Sequence, residues 1–455
     1  MSPTPAPTSA PIPAPIASDP LSPAWRNQWY PVAFLRDLDP RRPTAFTLLE
    51  EDLVLWWDRH SQAWQAFTDV CPHRLVPLSE GRLNQAGELE CPYHGWSFDA
   101  AGRCTAIPQA AAGATPTPRR SNCHRHATAE AQGLLFVFAG DAADASAVPL
   151  PLVPVLSQDD GGWLVQDTFR DLPMDALTLL ENVLDVSHVP FTHHQTVGKR
   201  ENAGPVEAER TGFGPEGFTL LWKEGPRRGK LGSQHTTFVA PGLLWHDLTA
   251  PGFARFLTVV YAVPIRPGEC RLIARFPFRF ESKLPALLLR LRPEWLQHIG
   301  NHTVLEDDQV FLHWQERVLE RRGGSAAAGR AFFLATPADR YVLALHDWVN
   351  RYAGVPFPGQ PLPARLDRPA LMDRYGSHTV HCRACAGALT QIRRWRPWVA
   401  LLPWLAVVFL VLLPYPLGLV AGLVLAGVGL GLGQRLAAWE QQLLRGDGRP
   451  PRNRH

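Results

Sequence analysis

From residue 398 through residue 433 the chain carries no charged side chain. A helix needs about 20 apolar residues to cross a bilayer, so this run is too long for one ordinary span and close to enough for two short ones. Pro414-Tyr415-Pro416 interrupts it. Proline removes a backbone donor and clashes with the preceding helical turn, so the pattern predicts helices near 398–413 and 417–433 joined by a Pro-Tyr-Pro turn at the far surface. Arg393, Arg394 and Arg396 precede the run, and Arg435, Arg445 and Arg449 follow it. By the positive-inside rule both ends, and the domains attached to them, face the cytoplasm. Gly418, Gly422, Gly427 and Gly431, spaced by four, five and four, suit close helix packing in lipid. No strand-to-helix unit surrounds them, which excludes a nucleotide loop. The competing reading is a helix pair buried in a large soluble core.

The rest of a 455-residue chain has room for two further folded units. The formal net charge of +3 joins two unlike parts: residues 374–455 hold ten Arg against Glu440 and Asp447, a net of +8, which leaves −5 for the remainder. So even a balance argues against a nucleic-acid partner, while the basic end suits the anionic face of a bilayer. Seven cysteines, an odd number spread over a long chain, point to metal or redox use rather than a disulfide framework.

Residues 1–20 are rich in Pro and Ala and lack a basic n-region and an apolar h-region, so they read as a disordered leader rather than a secretory signal. From 25 to 140, short apolar runs alternate with Gly, Asn and Asp turns, the mark of a small β domain. A second unit, 160–373, mixes a helix around 176–189, several strand-like runs and a late helix around 302–321, which is an α+β pattern. A linker over 374–397, the apolar hairpin and a basic tail over 434–455 complete the chain.

Three constellations carry chemistry. The first is Cys71-Pro72-His73 and, seventeen residues on, Cys91-Pro92-Tyr93-His94. Two loops that each offer a thiolate and an imidazole can hold a [2Fe–2S] cluster or a Cys2His2 zinc ion. The surrounding text, CPHRLVPLSEGR and CPYHGWSFDAAGRCTAIP, resembles the Rieske domain of Rieske-type oxygenases. That resemblance implies that Cys71 and Cys91 bind one iron of the cluster and His73 and His94 the other.

The second runs from Glu181 and Asn182 through Asp185 and His188 to His193. Spaced by three, Asn182, Asp185 and His188 follow one helix face. Pro190 is expected to end that helix and leave His193 on the exit segment. Two such histidines are two-thirds of a 2-His-1-carboxylate facial triad, whose open positions bind O2. The pattern is similar to the catalytic domain of the same family, which implies that Asp185 bridges a neighbouring subunit's cluster and a mononuclear Fe(II), with Asn182 beside it. In 301–315 an acidic cluster, an apolar run and then Gln315 also resemble the family, and counting back from Gln315 puts the third ligand at Asp308, with Asp307 and then Glu306 as alternatives. His194 and His313 lie off the pattern.

The third is His378-x-x-His381-Cys382-x-x-Cys385. A CxxC pair is a dithiol switch or half of a zinc site, and the four residues together could close a small metal loop. Cys104, Cys123 and Cys270 have no partner pattern and read as buried free thiols. A CxxC followed by two spans resembles one branch of the Rieske oxygenases, that of pheophorbide a oxygenase, the Rieske protein of the chloroplast translocon and cyanobacterial cell-death suppressors. The resemblance implies a helix-grip-type catalytic domain, a homotrimer, a ferredoxin donor, a thioredoxin-reducible Cys382/Cys385 pair and a lipophilic, tetrapyrrole-like substrate. Neither a Rossmann fingerprint nor a flavin motif is visible, in keeping with a separate electron donor.

Overall fold

Val, Ile, Tyr and Phe crowd the segments Arg255–Arg266 and Glu269–Arg279, and side chains of these types pack best on a pleated surface. The two form an antiparallel pair with Val260 opposite Ala274 and Tyr261 opposite Ile273. Pro267-Gly268 turns the chain between them, and Gly268 takes φ +71°, open to glycine without strain. This pair sits inside a seven-stranded antiparallel sheet, in the order Leu164–Leu172, Glu269–Arg279, Arg255–Arg266, Leu243–Leu248, Gln234–Val239, Gly217–Trp222 and Ala208–Gly214. The coordinates are a computed structural model that describes residues 23–111, 119–157, 162–227, 229–249 and 255–447. The expected leader over 1–20 and the last residues of the basic tail lie outside the described residues.

The N-terminal unit is built from three small antiparallel sheets, and one of them, of the four short strands Arg82–Leu83, Leu89–Glu90, Ser97–Phe98 and Cys104–Ala106, carries the second Cys/His loop. Its own core gathers Val54, Trp56, Phe67, Leu78, Leu89 and Phe98 around the buried Cys71 and Cys91. A larger core runs without interruption from Trp25 and Phe136 into the seven-stranded sheet and on to Leu389 and Leu443.

Against the first strand of that sheet lies the helix Glu294–Arg321, longer at its N-terminal end than the expected 302–321. His298, His302 and Glu306 recur every four residues and so share one face. They meet Asp167, Thr168 and Arg170 of the strand Leu164–Leu172 in turn. The expected helix over 176–189 is shorter: it spans Ala176–Leu184, with Asp185 as its C-cap, and a separate turn of helix, Val189–Thr192, follows. Asp185 and His188 therefore occupy the junction between two helices rather than one continuous face. Pro190 falls in the first turn of the second helix, where its missing N–H costs nothing, and so opens a helix instead of ending one.

The apolar hairpin forms, with different limits. The helix Arg383–Val399 leads through one turn into Leu402–Leu412, and Leu417–Leu444 returns well past residue 433. Both arms are long and apolar enough to cross a membrane, with only 11% and 17% of their most apolar windows buried. That exposure removes the soluble-core reading, because Trp404, Val411, Leu412 and Tyr415 are each more than 70% exposed. The glycine stripe is only partly as expected. Gly418 and Gly422 face the opposite arm, where a Cβ on Gly422 would come within 2.8 Å of Leu410, but Gly427 and Gly431 touch nothing and Gly429 takes their place against Leu402 and Pro403. Positions 418, 422 and 429, spaced by four and then seven, share one face of the helix, which 427 and 431 do not. At the base, Glu440 bridges Arg393 at 2.9 Å and Arg396.

Candidate metal centres

The two Cys/His loops of the N-terminal unit have the same backbone. Cys71 N–H donates to the Val76 carbonyl at 2.9 Å and Leu75 N–H returns to the Cys71 carbonyl at 2.9 Å; Cys91 N–H donates to Trp96 at 2.8 Å and Gly95 N–H returns to Cys91 at 3.2 Å. Leu75 and Gly95 both take positive φ, at +59° and +72°, to close these turns. The sulfurs are buried while the His73 and His94 rings, 4.6 Å apart, reach the surface beside Leu75 and Tyr93, which are 74% and 57% exposed. Trp96 stacks on His73 at 4.6 Å and fixes that ring. Nδ1 of both histidines is buried with no hydrogen-bond partner, a costly state that a metal bond would relieve. Burial pushes the Cys71 thiol up to about 11, with the Cys91 sulfur adding to the shift, so a cation is needed to hold it as thiolate at neutral pH. Among the described residues, three groups bring their ligand atoms within 4.8 Å of one another, and these four residues are not one of them. A single tetrahedral zinc requires such convergence; a two-iron cluster, with sulfurs at one end and imidazoles at the other, does not.

In the second unit His188, His193 and Asp308 do converge. His188 Nε2 lies 3.2 Å from His193 Nε2. An Asp308 carboxylate oxygen lies 3.1 Å from His193 Nε2 and 4.0 Å from His188 Nε2. Ligand atoms on one face of an octahedron sit about 3 Å apart, so the group fits a facial triad. The other ring nitrogens are occupied as metal-ligating histidines require. His188 Nδ1 donates to the Asp185 carbonyl, and His193 Nδ1 lies 3.4 Å from Asp307 Oδ2. Burial alone would lower the His193 pKa, but hydrogen bonds and charge from Asp307 and Asp308 outweigh it and push it up to about 9, marking a site built for positive charge. The second oxygen of Asp308 is buried without a partner.

Helix ends place these groups. Asp175, before the helix Ala176–Leu184, accepts from Gly268 N–H at 2.7 Å and donates its own N–H to Glu316 at 2.9 Å, so the helix is tied to the sheet and to the long helix at once. Asp185, half-buried, accepts from the Ser187 hydroxyl at 2.6 Å and keeps an oxygen 3.8 Å from His188. Asn182 is half-buried one turn earlier. Gln315 reaches Glu181 at 3.4 Å, and Glu181 accepts from His346 at 2.8 Å.

Of the alternatives for the third carboxylate, Glu306 is turned away: Arg170 and Arg374 clamp it, each at 2.7 Å. Asp307 stands behind His193 rather than beside His188. His313 is fully buried and accepts from Leu366 N–H, so it holds loops together rather than lying at the surface; His194, partly exposed, accepts from Arg200 N–H at 3.3 Å. Thr196 and His246 carry no sequence signal. The Thr196 hydroxyl donates to Asp307 at 2.9 Å. His246, from the sheet, bonds the Val183 carbonyl at 2.8 Å and so supports the helix end above the triad. Cys104, Cys123 and Cys270 are buried free thiols.

The third constellation differs from its expected form. His378, Cys382 and Cys385 come together, but His381 is exposed and takes no part; His298, from the long helix, completes the group.

Comparison with known proteins follows the same division. Residues 28–121 match the Rieske [2Fe-2S] domain family and residues 238–326 the pheophorbide a oxygenase family. The chain is 37% identical over 397 residues to the chloroplastic pheophorbide a oxygenase of Arabidopsis thaliana, covering 80% of this chain and 72% of that protein. It is 32% identical over 402 residues to the chloroplastic flavonoid 8-hydroxylase 2 of Ocimum basilicum, covering 81% and 74%. Among solved structures, Pseudomonas putida NdmA with caffeine superposes with a TM-score of 0.58 at 22% identity, over 72% of this chain and 90% of that one, and shares the fold.

Proposed function

The chain belongs to the pheophorbide a oxygenase family of Rieske oxygenases, and from that premise we propose that it is a membrane-anchored oxygenase of a lipophilic, chlorophyll-derived tetrapyrrole, supplied with electrons by a ferredoxin. Its cofactors are a Rieske [2Fe–2S] cluster and a mononuclear non-haem iron. The observation that carries the reading is the pairing, in one chain, of twin Cys/His loops with the His188/His193/Asp308 triad. Cys71 and Cys91 would hold one iron of the cluster, His73 and His94 the other, and His188, His193 and Asp308 the mononuclear ion. Bound there, these groups supply single-electron transfer and an iron with open positions for O2.

The remaining roles belong to side chains. Asp307 and the Asp185 carbonyl hold the two imidazoles with Nε2 turned inward. The exposed tip around His73, His94 and Tyr93 suits docking against a second subunit, and the half-exposed Asp185 side chain suits the receiving end. This supports a homotrimer in which Asp185 links one subunit's cluster to the next subunit's triad. The apolar hairpin keeps the body beside the phase in which such a substrate dissolves. Because the hairpin returns the chain to the side it left, body and tail share one face of the membrane, the cytoplasmic face by their basic flanks.

A second substrate class, a flavonoid-like aromatic, is favoured by the similarity to flavonoid 8-hydroxylase 2. One experiment separates the two. The purified full chain is incubated anaerobically with a panel of tetrapyrroles and flavonoids, given reduced ferredoxin and 18O2, and its products are read by mass spectrometry. A labelled tetrapyrrole supports the proposal; label only in a flavonoid overturns it in favour of the second reading.

A further inference from the structure

Outside the two candidate iron centres, one more set of soft metal ligands comes together among the described residues. Cys382 caps the N-terminus of the helix Arg383–Val399 and Cys385 lies in its first turn; His378 precedes them, and His298 reaches in from the long helix. All four side chains are buried, at 1% exposure each. His298 Nδ1 lies 3.4 Å from Cys385 Sγ, 3.5 Å from Cys382 Sγ and 3.2 Å from His378 Nε2. Tetrahedral zinc, with Zn–S of about 2.3 Å and Zn–N of about 2.05 Å, sets its ligands about 3.6 Å apart for nitrogen to sulfur and about 3.4 Å for nitrogen to nitrogen. The observed separations agree with these within about 0.2 Å. His298 is also prepared as a ligand: its Nε2 lies 2.9 Å from the Asp167 carbonyl, which takes that N–H and leaves the Nδ1 lone pair facing the sulfurs.

We propose that His298, His378, Cys382 and Cys385 bind a structural Zn2+ ion that clips the root of the membrane anchor to the helix bearing Asp308. Two thiolates balance the divalent charge and two neutral imidazoles complete the shell, so the buried site carries no net charge. As zinc enters, the two thiol protons leave to solvent and nothing is oxidised or reduced. An S2N2 tetrahedron selects zinc over oxygen-seeking cations. The same burial disfavours exchange with thioredoxin, which must reach a sulfur directly. The place has a purpose as well. His298 lies ten residues before Asp308, about 15 Å along the helix axis, while Cys385 stands at the head of the helix leading into the hairpin. Asp37 of the N-terminal unit accepts from Arg383 N–H at 2.8 Å, so three parts of the chain meet here.

Full-length protein, purified in detergent from zinc-supplemented medium, tests this without any turnover. Elemental analysis is expected to give about one zinc per chain beside the iron, and absorption at the zinc edge to show two sulfur and two nitrogen neighbours. Cys382→Ser/Cys385→Ser should lose the zinc and keep the Rieske EPR signal, while His381→Ala should keep both. Should the double variant fail to fold, the edge spectrum of the unaltered protein still decides. Purified chain without zinc, zinc with no sulfur neighbours, or zinc retained by the folded double variant would each overturn the proposal.

Discussion

His193 and Asp307 form a donor–acceptor pair on the far side of the imidazole from His188: Nδ1 lies 3.4 Å from Oδ2, and the same oxygen takes the Thr196 hydroxyl at 2.9 Å. The neighbouring Asp308 meets the opposite nitrogen at 3.1 Å. In the proposed triad the adjacent carboxylates would have different duties, Asp308 as ligand and Asp307 as the group that orients a ligand. Asp308→Ala should lose the mononuclear iron and all turnover while the cluster's EPR signal persists. Asp307→Asn should retain iron with affinity reduced about 10- to 100-fold. Iron titration followed by EPR with nitric oxide as probe reads both, and equal loss in the two variants would contradict the division.

Glu306 makes its own prediction. Its carboxylate is held by Arg170 and Arg374, with all three side chains at most 5% exposed. Arg374 also donates to the Gln442 carbonyl at 2.9 Å near the end of the returning hairpin helix. Glu306→Gln removes the carboxylate that both buried guanidiniums share and should cost about 3–5 kcal/mol of stability. Iron content of the fraction that folds should be unchanged. Denaturant midpoints and metal analysis check the two halves separately.

Burial pushes the His246 pKa down to about 4, with the charge of His188 adding to a shift that a hydrogen bond to the Val183 carbonyl opposes. Folded, the ring is neutral at pH 7; unfolded, it titrates near 6.5. Between those values the unfolded chain binds the extra proton, so stability is full above about pH 6.5 and falls as pH drops toward 4, by up to about 3 kcal/mol. His246→Gln should remove this component. Chemical denaturation at pH 7 and pH 5 is expected to show a smaller loss on acidification for the variant than for the unaltered chain.

The legible parts were those set by local chemistry. Twin Cys/His loops need only a few residues of text around them, and an uncharged run ended by Arg on both sides leaves little choice but a hairpin. What could not be read depended on partners far along the chain. His298 carries no motif, and it displaces His381 from the buried group because a helix eighty residues earlier supplies a better-placed imidazole. The break after Leu184 leaves no mark in the sequence, because spacing by three suits a helix and Pro190 is equally at home in the first turn of a new one. Choosing between Asp307 and Asp308 needed the rotation of the long helix, which its apolar pattern defines weakly because its buried residues are mostly polar, His298, His302 and Glu306 among them.

The glycines of the hairpin separate composition from position. A Cβ on Gly429 would meet Leu402 and Pro403 at 2.8 Å, whereas one on Gly427 meets nothing within 4 Å. With little hydrophobic drive between helices in lipid, close contact at small residues is what holds such a pair together. Gly429→Leu should therefore force the arms apart and cost about 1–3 kcal/mol, as overpacking does elsewhere. Gly427→Leu, pointing outward, should stay within about 0.5 kcal/mol. Thermal unfolding in detergent gives the ranking, and a cysteine pair placed across the two arms should cross-link in the Gly427 variant but not in the Gly429 variant. Equal effects at the two positions would mean that the arms do not meet along the face of Gly418, Gly422 and Gly429.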